Sequence, residues 1–365
     1  MGFSCGIVGL PNSGKSTLFN ALTGGGAVVD SYPFTTIDPN HGTVLVPDPR
    51  LEAVGAIIRP QRLVPTAIQF VDIAGLVRGA SRGEGLGNQF LGHIRQVDAI
   101  VHVVRCFSAP GVPHVDGVVD PVRDVETIDT ELCLADLETI GRRRERTQRK
   151  LKGAAVHALT ELDRLDGLEK VLDRGIPLRK HVLDPGELAL AREMFLVSLK
   201  PVVYVANLDE GLTHPEEDAG LRGLVQLAVG QHAAVVSVAA KLESELAALE
   251  PTEQELFMSE LGLESLAVQR LIRTSYQVLG LITFFTGNQK ELRARTLAAG
   301  RTALDAASDI HTDMARGFIR AEVIAADELV RVGSFAAARD QGRVRLEGKE
   351  YVVADGDILY FRFSV

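Results

Sequence analysis

GLPNSGKST, Gly9 to Thr17, follows a β-branched run, Phe3 to Val8, and opens a helical pattern, Thr17 to Leu22. Strand, glycine loop and helix in that order are the context in which G-x-x-x-x-G-K-[ST] holds a polyphosphate. Gly9 and Gly14 let the main-chain N–H groups of Asn12, Ser13, Gly14, Lys15, Ser16 and Thr17 wrap the phosphates. Lys15 is placed to neutralise the β- and γ-phosphates, which makes it a candidate catalytic as well as binding group. The Ser16 hydroxyl can ligate Mg²⁺. A glycine turn that binds nothing is the plain alternative, and the flanking strand and helix argue against it.

Outward from this loop, apolar β-rich segments recur at Thr43 to Val46, Ala67 to Val71, Ala99 to Val104, Val202 to Ala206 and Ala234 to Val238. The stretches between them are long enough for crossovers, which predicts an α/β fold with a mostly parallel sheet. Between Ala99 to Val104 and Val202 to Ala206 lies a long insertion. Val125, Ile128, Leu132 and Ala135 fall at helical spacing there, and GRRRERTQRKLK, Gly141 to Lys152, continues the pattern with one acid among seven bases. A second helical pattern, Pro185 to Leu199, is expected to bring the chain back as a hairpin. The basic run reads either as a solvated helix face or as a contact for a polyanion. After about Gly280, short alternating segments and one helix, Thr302 to Ile310, predict a small α+β domain.

The chain has 365 residues, of which 46% are hydrophobic and 24% charged, enough for substantial cores in two or three domains. A net charge of −9 argues against a general nucleic-acid coat, although a local basic patch can still bind RNA. Cys5, Cys106 and Cys133 have no C-x-x-C spacing, so inert thiols in a reducing compartment are expected rather than disulfides or zinc. No window approaches a membrane span, the start lacks a basic n-region, and Gly6 replaces the hydroxyl residue that lipidation at Gly2 requires. The expected location is the cytoplasm, with no membrane and no DNA partner.

Further pieces of a switch site follow the loop in order. Asp72 ends the strand Ala67 to Val71, where it can hold Mg²⁺ through water, and Gly75 can meet the γ-phosphate with its N–H. In YPFTTIDPN, Thr35 or Thr36 can complete the metal shell, and Thr36 is the assigned ligand. Leu76 stands where Ras-like enzymes carry the glutamine that orients water, so a slow intrinsic rate is expected.

PVVYVANLDEG, Pro201 to Gly211, ends in Asn207-Leu208-Asp209-Glu210 where a Ras-like GTPase has Asn-Lys-x-Asp. That motif's carboxylate accepts bonds from guanine N1–H and its amine, whereas adenine offers a lone pair at N1. Loss of two charge-assisted bonds, roughly 1.5–3 kcal/mol each, removes most guanine preference. It does not by itself choose adenine. Asn207 or the backbone near Leu208 can read adenine, with Leu208 packing on the ring and Glu210 beside it. A plain strand-ending turn is the alternative.

GIVGLPNSGKSTLFNALT, YPFTTIDPN, FVDIAGLVRGASRGEGLGNQF, IVHVVRCF, the Asn-x-x-Glu motif and IHTDMARGFIRA together resemble one family, the Obg-like ATPases known as YchF. The resemblance covers essentially the whole chain. It implies a Ras-like P-loop core at 1–122 and 200–280, an inserted helical, coiled-coil hairpin at 123–199, and a C-terminal β-grasp domain of the TGS kind at 281–365. It also implies ATP hydrolysis in preference to GTP, Mg²⁺ as cofactor, and a ribosomal, large-subunit partner with a link to stress. A monomer is expected. The family's proposed catalytic histidine maps onto His114 in the Pro- and Gly-rich loop SAPGVPHVDGVVDP; the residues alone read as a solvated loop histidine. Thr35 stands where several members carry cysteine, so redox control through that position is not expected. Two other readings stay open: an Obg-type GTPase in ribosome assembly, and a module in which nucleotide only orders the fold and the terminal domain acts.

Overall fold

The computed structural model describes residues 2–24, 41–73, 86–150, 155–210 and 218–364. In chain order these form β1 (Ser4–Val8), α1 (Lys15–Gly24), β2 (His41–Leu45), α2 (Pro49–Ile58), β3 (Arg62–Val64), β4 (Ala67–Asp72), α3 (Leu86–Gln96) and β5 (Ala99–Arg105). Then come α4 (Pro121–Lys150), α5 (Ala155–Leu172), α6 (Pro185–Glu193), β6 (Val202–Asn207), α7 (Ala219–Val229), β7 (Ala234–Val238), α8 (Ala240–Ala247), α9 (Pro251–Glu260) and α10 (Ala267–Val278). The rest is β8 (Leu281–Gly287), β9 (Glu291–Ala298), α11 (Ala303–Ile310), α12 (Thr312–Arg316), β10 (Phe318–Ala325), α13 (Ala326–Val332), α14 (Phe335–Asp340), β11 (Arg345–Glu347) and β12 (Asp357–Phe363).

The chain divides into two units, Met1–Val44 with Gln69–Ser275, and Leu45–Ile68 with Tyr276–Val365. The first is built on a six-stranded sheet in the order β2-β4-β1-β5-β6-β7. Its pairs β1–β4, β1–β5, β5–β6 and β6–β7 are parallel, as the alternating pattern predicts. Every residue of the central strands β5 and β6 is buried, the mark of strands covered on both faces. Ile100, Tyr204, Ile128, Leu132 and Leu224 meet in one core on one side of this sheet. The carboxyl ends of β1, β4 and β6 therefore lie at one edge, where doubly wound sheets place ligands.

The insertion is a helical hairpin, but its returning arm is α5 and not the Pro185 to Leu199 pattern. Cys133 and Ile140 of α4 pack on Leu165, Leu168 and Leu172 of α5, with Leu190 of α6 closing the cluster. Asp184 caps α6 with a reciprocal Glu187 bond, which stops the helical pattern from extending back toward α5. Part of the basic run is paired with acids of the same region. Arg142 pairs with Glu138, Arg143 with Glu161 and Glu193, and Arg144 with Asp166 and Glu169. Arg143 and Arg144 tie α4 to α5, while Arg142 pairs within α4, which favours the helix-face reading over a polyanion contact.

Two buried acids fix the base of the hairpin. Both Asp136 oxygens accept main-chain N–H groups, from Val197 and Ser198 at 2.8 Å each. Burial pushes the Asp136 carboxyl up to about 6, against the pull of those bonds. Asp129 takes Arg179 and Lys180, the latter at 2.7 Å, with its own side chain only 4% exposed.

The second unit carries a six-stranded sheet ordered β11-β10-β12-β8-β9-β3. The β12–β8 pair is parallel between antiparallel pairs β10–β12 and β8–β9, the β-grasp arrangement, and Ala303, Ala306 and Ala307 of α11 pack on Phe284 and Leu359. Thr302 caps α11 through a capping box with Asp305. The stretch 45–68, placed with the nucleotide-binding portion on sequence, belongs here instead. Its β3 pairs with β9, and Leu51 and Val54 of α2 join Phe285, Leu292 and Ile324 in the core. Asp48 caps α2 ahead of Pro49 and also holds Arg50, which reaches Asp355 at 2.8 Å. The single helix expected in this region is joined by α12, α13 and α14.

Among the described residues, no helix is long and apolar enough to cross a membrane. All three cysteines are free, and burial pushes each thiol up to about 12, so they are poor nucleophiles at neutral pH.

Candidate nucleotide site

The loop between β1 and α1 has the backbone that a phosphate nest needs. Asn12 and Gly14 take positive φ of 63° and 95°, turning successive N–H groups toward one point. A Cβ on Gly14 would collide with the Asn207 carboxamide, and one on Gly9 would meet Val103 O and Ser13 Oγ. Glycine is therefore required at both places by space, and at Gly14 by backbone conformation also. Lys15 lies 8% exposed, its Nζ donating to Leu10 O at 2.9 Å. Burial lowers the pKa of this ammonium, with Asp72 opposing, so an anion brought into the loop gains a poorly hydrated partner.

Ser16 Oγ donates to Asp72 Oδ2 at 2.9 Å. Asp72 reaches this point because β4 runs parallel to β1 in a register that sets it beside Ile7. A hydroxyl and a carboxylate converging in this way are hard oxygen donors, and their chemistry fits a divalent cation of the Mg²⁺ or Ca²⁺ type better than a thiophilic one. Thr35, Thr36, Gly75 and Leu76 lie outside the described residues.

Asn207 is bonded within the protein through both ends of its carboxamide. Its side-chain amide donates to Ser13 O at 2.9 Å, and its oxygen accepts from Ala240 N at 3.1 Å, in a residue 5% exposed. Asn207 thus ties the phosphate loop to the start of α8, with its carboxamide oxygen already engaged. Leu208 packs on the core beneath the sheet and gives its N–H to Val238 O. Asp209 accepts from Ser108 N at 3.1 Å, and exposed Glu210 pairs with Lys241 at 3.0 Å. Asn207→Ala is expected to weaken ATP and GTP binding by the same factor, about tenfold, since it loosens the loop and not a base contact. Parallel titrations of both nucleotides check this; a loss confined to one base would assign Asn207 to recognition.

The loop that follows β5 lies against the phosphate loop. Asn12 Nδ2 donates to Pro113 O at 3.0 Å, and the Arg105 guanidinium donates to the carbonyls of Phe107, Val112 and Pro113. Next in the chain, His114 is turned away from solvent. Its Nε2 lies 2.9 Å from Asp124 Oδ2, and Asp116 N donates to Nδ1 at 3.1 Å. Neither Asp124 nor Arg105 stood out in the sequence. Asp124 is one of several acids at the start of α4, and Arg105 lies in the stretch IVHVVRCF, to which no role was attached.

Two family models match the chain. One, described as 50S ribosome-binding GTPase, spans residues 4–135; the C-terminal model for YchF GTPases, described as a protein of unknown function (DUF933), spans 281–364. The chain is 48% identical over 366 residues to the ribosome-binding ATPase YchF of Bacillus subtilis (strain 168), covering 100% of both chains. The chain belongs to the YchF family. The YchF of Haemophilus ducreyi, also called a ribosome-binding ATPase, is 49% identical over 365 residues with 100% of both chains covered. The YchF structure from Schizosaccharomyces pombe, described as a GTPase, superposes with a TM-score of 0.88 at 31% identity, covering 99% of this chain and 97% of that one. Family membership is thus settled over the full length, while the names given to YchF proteins divide over the base.

Proposed function

We propose that this YchF-family chain is a Mg²⁺-dependent ATPase that hydrolyses ATP to ADP and phosphate while engaging the ribosome. The observation that carries the base assignment is the fate of the acids after β6. Asp209 accepts from Ser108 and Glu210 is paired at the surface with Lys241, so neither is held as the buried, unpaired carboxylate that guanine demands. The curated relatives from B. subtilis and H. ducreyi are named ribosome-binding ATPases, which supports both halves of the reading.

In this reading the amides of Asn12 to Thr17 bind the β- and γ-phosphates, and Lys15 supplies fixed positive charge as charge builds on the transferred group. Ser16 and Thr36 would hold the metal ion, with Asp72 beside Ser16 as a further oxygen donor, and the ion would supply positive charge to offset that of the phosphates. Leu208 packs beside the purine. His114 positions the attacking water. With Leu76 unable to orient water, turnover is slow and suits a timing switch. The large subunit as the contact, a cytoplasmic location and a monomeric state belong to the same proposal.

The rival reading, a GTPase, is favoured by the name of the S. pombe structure. Competition of unlabelled ATP and GTP against a fluorescent nucleotide in the presence of Mg²⁺ separates the two. Preference for ATP is the expected result. A GTP preference above about tenfold, ~1.4 kcal/mol, overturns the base assignment.

A further inference from the structure

We propose that Asp124 is a latch: it stores the His114 ring in a buried position from which it cannot act on water, and release of this contact sets the basal rate of hydrolysis. The inference rests on the reading of His114 as the water-positioning group. It deepens that reading by assigning a positioning residue and an autoinhibited arrangement to the site.

The ring has two nitrogens, and both are engaged. Asp116 N–H points at Nδ1 from 3.1 Å, so Nδ1 carries the lone pair and Nε2 carries the proton. That proton faces Asp124 Oδ2 at 2.9 Å. A group that orients or deprotonates water must present a free lone pair within hydrogen-bond reach of it. The stored ring presents none, and the His114 and Asp124 side chains are each only 3% exposed.

The surroundings make the storage firm and the exit local. Arg123 sets its guanidinium 3.8 Å from Asp124 Oδ1 and 3.6 Å from Asp116 Oδ2, and donates to Val118 O, which holds the acids in place around the ring. Asp124 itself is fixed in the first turn of α4, with its N–H on Asp120 O. The backbone just before the ring is pinned to the phosphate loop through Asn12 and Pro113. Left-handed glycines, Gly111 at φ 87° and Gly117 at φ 77°, flank this segment, with open space around both. Rotation of the His114 side chain, with adjustment at these glycines, carries the ring out of the Asp124 pocket while its neighbour stays anchored beside the phosphates.

The latch makes an unusual demand: removing a buried acid beside a catalytic histidine should speed the enzyme. Asp124→Leu keeps the branched shape and deletes the acceptor; Asp124→Asn keeps a weaker neutral acceptor. Under saturating ATP and Mg²⁺, kcat is expected to rise in the order wild type, Asn, Leu. The Leu variant should gain about tenfold, the factor for one lost bond to a charged group, with KM for ATP unchanged. The gain should vanish in the double variant with His114→Ala. If kcat of the Asp124 variants is at or below wild type while His114→Ala is impaired, Asp124 orients a working base and the latch is wrong. Should Asp124→Leu fail to fold, Asp124→Asn is judged by the same rule.

A second readout is the ring itself. Nitrogen-15 spectra of histidine side chains in the nucleotide-free protein should show His114 as the Nε2–H tautomer with a slowly exchanging proton, lost on Asp124→Leu. An Nδ1–H tautomer, or a freely exchanging ring in wild type, overturns the storage geometry. If His114→Ala hydrolyses ATP at the wild-type rate, the catalytic reading fails by itself, and these spectra still decide whether the ring is stored.

Discussion

Lys15→Ala is expected to lower ATP hydrolysis by about 10²–10³-fold, the usual effect of deleting one preorganised charge from a site where charge builds in the transition state. The size follows from where the ammonium sits. It is buried to 8% exposure, its pKa is lowered by that burial, and its remaining partner is the carbonyl of Leu10. Little water has to be stripped from it when phosphate arrives, so little of the Coulomb energy is lost to desolvation. The substitution also leaves the Leu10 carbonyl without this donor, but the fold should survive, because Leu18 N to Gly14 O and Ser13 N to Leu10 O still close the turn. Single-turnover hydrolysis with saturating ATP, alongside a urea melt, separates the two effects. A variant that melts normally and retains more than a tenth of the rate would remove Lys15 from the chemistry.

The largest loss of stability is expected at Asp129. Asp129→Ala should cost about 3–5 kcal/mol, since it strands the Arg179 and Lys180 charges in a buried setting. Arg179 is 9% exposed at its side chain and Lys180 20%, so neither can turn fully to solvent. Burial by itself would raise the Asp129 carboxyl pKa, but the two cations and their bonds outweigh it and hold the folded value below the usual range. For an acid depressed in the folded state, the stabilisation is present above the unfolded pKa of about 3.9 and is lost as pH falls through the lower folded value. Acid titration of the urea midpoint should therefore fall less steeply below about pH 4 in Asp129→Asn than in wild type. Equal slopes in the two proteins would mean that the pair contributes nothing to acid stability.

What could be read from sequence was local. The phosphate loop, the acid ending β4 and the strand before Asn207 are each defined within a dozen residues, and the structure brings Lys15, Ser16, Asp72 and Asn207 together at one edge of the sheet. What could not be read depends on contacts between distant parts of the chain. Nothing in Arg62 to Val64 announces that β3 will pair with β9, some 230 residues later by its register with Glu291 to Arg293. The returning arm of the hairpin was misplaced for a related reason. Both α5 and α6 carry apolar residues at helical spacing, and only the length of α4 decides which can lie along it. For Asn207 the residue type was informative and its bonds were not: a carboxamide can read a base or bridge two loops, and its links to the backbone of Ser13 and Ala240 join distant parts of the chain. The pairing of His114 with Asp124 follows from the first turn of α4 meeting the preceding loop, which no spacing rule encodes.

The docking of 45–68 into the C-terminal sheet has a practical corollary. A truncated polypeptide starting at Tyr276 would look like a natural domain from the 281–364 match, yet it would lack α2 and the edge strand. The bare flank of β9 would then offer unsatisfied amides and carbonyls as a template for another copy, and Phe285, Leu292 and Ile324 would lose the cover of Leu51 and Val54. Clumping of such a fragment would report the missing cover rather than poor intrinsic foldability. Grafting residues 45–68 onto it through a glycine-rich tether should restore solubility.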